Sequence, residues 1–169
     1  MKGFIAVVRQ ARNRRLFYLL ILAGIAFIKV RGAGFERWTF EFFALDTGKP
    51  RIEERIFRRS ASREFDIRRY VEETLLGPVS PESAPLFSRD SRLLALMIRD
   101  GTVYANLSEI AALPPPEGGE PLVSLASLRR GIRRNFSFVK DVRLYIEGNE
   151  VAPAKLRAAS GGKGETANF

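Results

Sequence analysis

Alternating apolar positions predict a strand near the start of the folded part of the chain. Trp38, Phe40 and Phe42 alternate with polar residues, and residues 46–50 supply a turn of sequence Asp-Thr-Gly-Lys-Pro. A return strand should follow over residues 52–57, which carry many more charges than the first strand. Because charged side chains discourage further strand pairing, this return strand is predicted to lie at the edge of a sheet.

A helical period replaces the alternation in the segment of residues 63–78. The apolar positions of this helix recur every three or four residues: Ile67, Tyr70, Val71 and Leu75. Gly77 and Pro78 follow at once and should end the helix, since glycine favours the backbone of a helix end and proline cannot continue one.

The strongest turn signal is the pair Asp100 and Gly101, which separates two apolar runs. This pair predicts a type I′ hairpin. The first run, residues 93–98, is apolar at almost every position, which predicts a central strand covered on both faces. Leu96 and Ile98 should therefore be buried.

A second helix is predicted over residues 122–136, followed by one more strand. Its apolar side is formed by Leu122, Leu125, Leu128, Ile132 and Phe136. Val142, Leu144 and Ile146 then alternate along a strand that ends at Gly148. The order ββ-α-ββ-α-β predicts an α+β fold, with two helices on one face of a small, mostly antiparallel sheet.

The N-terminal region combines basic residues with an apolar run and predicts a hydrophobic helix. Basic residues are denser before the run than after it, which favours a cytoplasmic N-terminus and an extracytoplasmic remainder. A transmembrane anchor is the preferred interpretation; a cleaved signal peptide and a buried core helix are the alternatives. The predicted organisation is a basic segment at 1–15, the anchor or signal segment at 16–30, a folded domain at 35–151 and a disordered tail at 152–169.

The composition limits the reactions that the chain could catalyse and the metal sites that it could form, because it contains neither histidine nor cysteine. Disulfides, thiolate metal sites and cysteine nucleophiles are thereby excluded, and the commonest general base is missing. Two groups of polar side chains are candidates for chemistry: Ser60, Ser62, Glu64 and Asp66 before the first helix, and the carboxylates Asp46, Glu53, Glu54 and Asp90.

Neither cluster predicts a reaction. The serines have no base to activate them, so Ser62 or Asp66 is better interpreted as a helix cap. The carboxylates lack the spacing of a metal-binding loop. We therefore expect no enzyme activity, no cofactor and no metal.

The net charge of +9 indicates an anionic partner. Basic residues are densest on the second helix, away from its apolar side: Arg129, Arg130, Arg133 and Arg134. A solvated face is the first interpretation of these arginines, and contact with an acidic protein or an anionic lipid surface, for which they are the candidate binding residues, is the alternative. Nucleic acid is less favoured, because no aromatic residues interleave with the arginines.

The chain resembles the GerMN domain of bacterial sporulation and germination proteins over roughly residues 35–151. The aromatic first strand carries part of the resemblance. The rest lies in Glu-Thr-Leu-Leu-Gly-Pro at 73–78, Asp-Gly-Thr-Val-Tyr-Ala-Asn-Leu-Ser at 100–108 and Val-Lys-Asp-Val-Arg-Leu-Tyr-Ile-Glu-Gly at 139–148. Gly77, Pro78, Asp100, Gly101 and Gly148 have structural roles in this interpretation.

The resemblance implies an envelope domain without known catalysis, whose fold is related to the ring-building motif of membrane channels and secretion platforms. Family members are often lipoproteins, whereas this chain has no cysteine to acylate. Some members carry tandem copies of the domain, whereas this chain has room for one. We expect a single-pass protein of the bacterial cytoplasmic membrane that contacts envelope proteins or further copies of itself. A role in sporulation itself is not implied.

Overall fold

The computed structural model describes residues 11–32, 34–115 and 119–161. The chain divides into two compact units, Met1–Glu36 and Arg37–Phe169. The first unit contains helix α1, Ala11–Gly32, whose side chains are exposed over residues 17–27. No helix within the described ranges is both long enough and apolar enough to cross a membrane. The predicted basic segment lies outside the described residues over positions 1–10.

The first sheet contains the aromatic strand. Strands β1 (Phe35–Ala44), β2 (Pro50–Arg58) and β3 (Ser83–Ala84) are arranged in the order β2-β1-β3. The predicted alternation is confirmed, because Trp38, Phe40 and Phe42 are buried. The prediction that the return strand lies at an edge is also confirmed, and Phe57 is its one buried residue.

Helix α2, Arg63–Leu76, begins and ends where the sequence predicts. The Ser62 hydroxyl accepts a hydrogen bond from the backbone N–H of Phe65 at 3.3 Å, which confirms Ser62 as the helix cap. Gly77 has a φ of 95°, a backbone conformation that favours glycine, and ends the helix.

The second sheet contains β4 (Leu93–Arg99), β5 (Thr102–Leu107), β6 (Asp141–Ile146) and β7 (Asn149–Glu150), in that spatial order. Asp100 and Gly101 have φ values of 52° and 81°, as the predicted type I′ turn requires. A short 3₁₀ helix, Glu109–Ala112, follows β5. Helix α3, Pro121–Asn135, then leads to β6.

The position predicted for β4 is wrong, because β4 is the edge strand and β5 is central. β5 has β4 on one side and β6, which runs parallel to it, on the other. Leu96 is buried as expected, but Ile98 is half-buried, and Leu94 and Met97 are about half exposed. The apolar character of β4 therefore does not indicate cover on both faces.

The arrangement of helices and sheets also differs from the prediction. The chain forms two sheets instead of one, and α2 and α3 each contact both of them. In α2, Tyr70 stacks on Phe40 of β1 at 4.7 Å between ring centroids, while other residues of the helix contact β4. Leu122, which was predicted to be buried, is 37% exposed because it lies in the first turn of α3.

The predicted disordered tail begins instead with a helix. Helix α4, Pro153–Gly161, packs on α3, and Leu156 is 2% exposed. Proline is common at the first position of a helix, and the alanine-rich residues that follow favour this structure. Residues 162–169 lie outside the described part of the chain.

Candidate functional site

A close contact between α2 and α3 fixes the position of α3. A Cβ atom at Gly131 would overlap the hydroxyl of Tyr70, so this position requires glycine. The Tyr70 hydroxyl donates a hydrogen bond to the backbone carbonyl of Thr39 at 3.2 Å. Burial raises the pKa of Tyr70. The hydroxyl therefore stays protonated and acts as a structural donor.

The last residue of α3 attaches the helix to β1. The side-chain oxygen of Asn135 accepts from the backbone N–H of Thr39 at 2.8 Å, and its amide nitrogen donates to the carbonyl of Thr39 at 2.8 Å. The same nitrogen donates to the carbonyl of Gly131 at 2.9 Å. Since an amide both donates and accepts, one side chain pairs with β1 as a neighbouring strand would.

Arg129, one of the four predicted partner-binding residues, is held within the domain. Its Nη2 donates to the carboxylate of Asp141 at 2.7 Å, and its Nε donates to the carbonyl of Val142 at 3.1 Å. The Arg129 side chain is only 12% exposed. Burial acts to raise the pKa of Asp141, but the hydrogen bonds from Arg129 and Val142 outweigh it, so this pKa lies below its ordinary value.

Arg130 is also paired inside the domain, though less deeply. Its Nη2 lies 2.7 Å from the carboxylate of Glu41 on β1 and 3.1 Å from the hydroxyl of Ser127. Both Arg129 and Arg130 therefore have carboxylate partners within the chain, and their first role is to attach α3 to the two sheets.

Arg133 and Arg134 lie one helical turn beyond Arg129 and Arg130, and both are exposed. In the part of the chain that the structure describes, neither forms an ion pair. Of the four predicted residues, these two are the exposed ones that lie outside ion-pair distance of the described carboxylates, and Arg133 acts on Asp141 only at longer range, where its charge helps to lower the pKa of that carboxyl. The sequence did not distinguish the two pairs, because their internal partners lie on other elements.

All four arginines line one open hollow of about 580 Å³. The other lining residues are apolar: Ala126 on α3, Val139 in the segment before β6 and Leu156 on α4. No acidic residue lines this space. We call it the arginine hollow.

The sequence did not predict that Val139 and Leu156 belong to this site, although Pro153 at the start of an alanine-rich stretch was a usable signal for α4.

The serine cluster considered as a catalytic candidate forms the start of α2. The backbone N–H of Ser60 donates to the Asp66 carboxylate at 3.0 Å, and the N–H of Ser62 donates to the Ser60 hydroxyl at 3.1 Å. Within the described ranges, no group of three or more acidic side chains is arranged to hold a metal ion. The arginine hollow is therefore the candidate functional site.

Comparison with known proteins identifies the domain type. Residues 42–152, more than half of the chain, match the family described as Germane: Sporulation and spore germination. No curated protein matches the sequence. The structure resembles the tandem GerMN domains of the sporulation protein GerM from Bacillus subtilis, with 20% identity and a TM-score of 0.51. That match covers 69% of this chain and 40% of the two-domain chain.

A second solved structure, the first GerMN domain of the same Bacillus subtilis protein, is 18% identical with a TM-score of 0.47. The match covers 67% of this chain and 85% of that one. The predicted resemblance to the GerMN domain is confirmed by the family match, and the tandem-domain structure shows a shared fold.

Proposed function

Because the chain belongs to the Germane family of sporulation and spore germination domains, we propose that it is a non-catalytic interaction module of the bacterial envelope. The module binds an acidic surface of a partner protein through Arg133 and Arg134. The observation that carries this proposal is the difference between the two arginine pairs. Arg129 and Arg130 have carboxylates within the chain, whereas Arg133 and Arg134 present their charges to solvent.

The proposal also places the domain outside the cytoplasm, behind an N-terminal segment that directs it to the membrane as an anchor or as a cleaved signal peptide. It is supported by the apolar residues at 16–30 and by the excess of basic residues before them. A C-terminal alkaline phosphatase fusion should be active and a green fluorescent protein fusion dark. The opposite pattern would show a cytoplasmic domain. Intact mass separates an anchor from a cleaved signal peptide, which would remove the apolar run.

The partner contact is tested with the double variant R133A/R134A in the full chain. The matched control is R89A/R92A, which removes the same charge from two other exposed arginines. Each exposed ion pair contributes about 0–1 kcal/mol, so the R133A/R134A variant should weaken partner binding by up to about 30-fold. The measurement is recovery of a crosslinked envelope partner from membranes, quantified against the wild-type chain.

Two further assays separate the competing functions. Flotation with anionic vesicles reports binding to lipid, and a gel shift reports binding to nucleic acid. Loss confined to partner recovery supports the proposal. Loss confined to flotation or to the gel shift would assign the arginines to lipid or to nucleic acid. Equal loss in R89A/R92A would show a general effect of net charge and would contradict a specific site.

A further inference from the structure

Helix α4 lies beyond residues 42–152, the part of the chain that matches the family. It nevertheless packs on α3 and contributes Leu156 to the arginine hollow. The exposed arginines therefore do not stand on an open helix face. They border a hollow to which a helix outside the family match contributes one lining residue.

The chain itself shows what kind of group these arginines bind. On the preceding turn of α3, Arg129 and Arg130 each hold a carboxylate at 2.7 Å. Residues four positions apart lie on the same side of a helix, so Arg133 and Arg134 continue the two rows. Carboxylates from another molecule would extend the same pairing by one turn, with charge-assisted hydrogen bonds of the kind already present.

The shape of the hollow decides between the sources of such carboxylates. The hollow has a volume of about 580 Å³ and is open to solvent, so it has room for a few side chains of a larger molecule and does not enclose a small ligand. A bilayer presents a broad surface, which fits a concave site poorly, whereas a peptide can insert side chains into it. A second copy of this chain is disfavoured because each copy carries a net charge of +9.

We infer that the arginine hollow receives an acidic peptide segment of the partner protein, with carboxylates on Arg133 and Arg134 and with Leu156 of α4 against the peptide. This inference rests on the proposed function and adds the chemistry of the partner and a role for α4. Leu156 and Val139 line the hollow together with the arginines, and apolar side chains lower the local dielectric around an ion pair. Such pairs are worth more than fully solvated ones.

The experiment uses the full chain and a short fluorescein-labelled peptide in which glutamate alternates with alanine. The control peptide has glutamine in place of glutamate. Fluorescence anisotropy at low salt gives the affinity for each. We expect R133A/R134A to weaken binding of the acidic peptide by about 10-fold or more, and R89A/R92A by less than about 2-fold. The glutamine peptide should not bind.

The role of α4 is measured on the wild-type chain, so that it does not depend on whether a variant folds. Hydrogen exchange, followed by mass spectrometry, should slow in both α3 and α4 when the acidic peptide is added. L156A should also weaken peptide binding by about 3-fold or more, and L156M should restore it; L94A, on the surface of β4, is the control.

The outcomes separate this inference from the proposed function. Peptide binding that needs Arg133 and Arg134 but leaves exchange in α4 unchanged would overturn the hollow and keep the arginine contact. Peptide binding that survives R133A/R134A would overturn both. Binding to anionic vesicles without binding to the peptide would overturn the inference and identify a lipid surface as the ligand.

Discussion

The two long hairpins, β1–β2 and β4–β5, each place one strand at the edge of a sheet, but the two edge strands have opposite characters. β2 is rich in charged residues: Arg51, Glu53, Glu54, Arg55 and Arg58. Three of these side chains form ion pairs with other elements, to Glu82, Arg37 and Glu73. In β4 the one charged residue is Arg99, at its end.

The hairpins are also attached to the rest of the domain in different ways. β4–β5 is continued by main-chain pairing, because β6 adds to β5 along its whole length. The hairpin β1–β2 has main-chain pairing to the two-residue strand β3 and is otherwise held by side chains, with the amide of Asn135 on Thr39 and the ring of Tyr70 stacked on Phe40 at 4.7 Å. The comparison teaches that the edge position of a strand depends on where the other strands join the sheet, and not on how apolar the strand is.

The largest expected effect is in the first hairpin, where packing of side chains replaces a continuous sheet. Trp38 is 1% exposed and stacks on Phe57 at 4.5 Å. Trp38→Ala should lower the free energy of unfolding by about 3–5 kcal/mol. Ile56→Ala, at a position 72% exposed on β2, should change it by less than about 0.5 kcal/mol. Urea denaturation of both variants measures the difference, and similar losses would contradict this account of β1–β2.

A smaller effect is expected in the second hairpin. Leu96 is buried in β4, while its neighbour Met97 is 50% exposed on the opposite face. Leu96→Ala should cost about 2–3 kcal/mol, the lower part of the usual range, because an edge strand can relax towards the cavity. Met97→Ala is the matched control and should cost about 0.5 kcal/mol or less. If Met97→Ala proved as costly as Leu96→Ala, β4 would be covered on both faces and the sequence-based prediction would be restored.

The sequence predicted the features that depend on near neighbours. The turn at Asp100 and Gly101, the alternation around Trp38 and the cap at Ser62 are each determined by a few adjacent residues, and the structure confirms all three. The edge position of β4 could not be predicted from adjacent residues. It depends on β6, which joins the sheet on the far side of β5 after the whole of α3 has intervened.

The candidate site shows the same limit. The four arginines stand out in the sequence, but their division into an internal and an external pair does not. Arg130 pairs with Glu41, a residue 89 positions away, and Arg129 pairs with Asp141 across the connection to β6. Because such partners are brought together only by the fold, the sequence could locate the basic helix and not its two exposed charges.

The parallel pairing of β5 with β6 has a consequence for how the domain folds. The β4–β5 hairpin can form early, because only two residues must turn to bring its strands together. Joining β6 to β5 requires closure of a loop that contains α3, and pairing between distant segments slows folding. The hairpin, with its apolar edge, should therefore exist before its partner strand arrives. In that interval the free edges of β4 and of β5 are both open to pairing with another chain. The wait for β6 is therefore the folding step most exposed to aggregation.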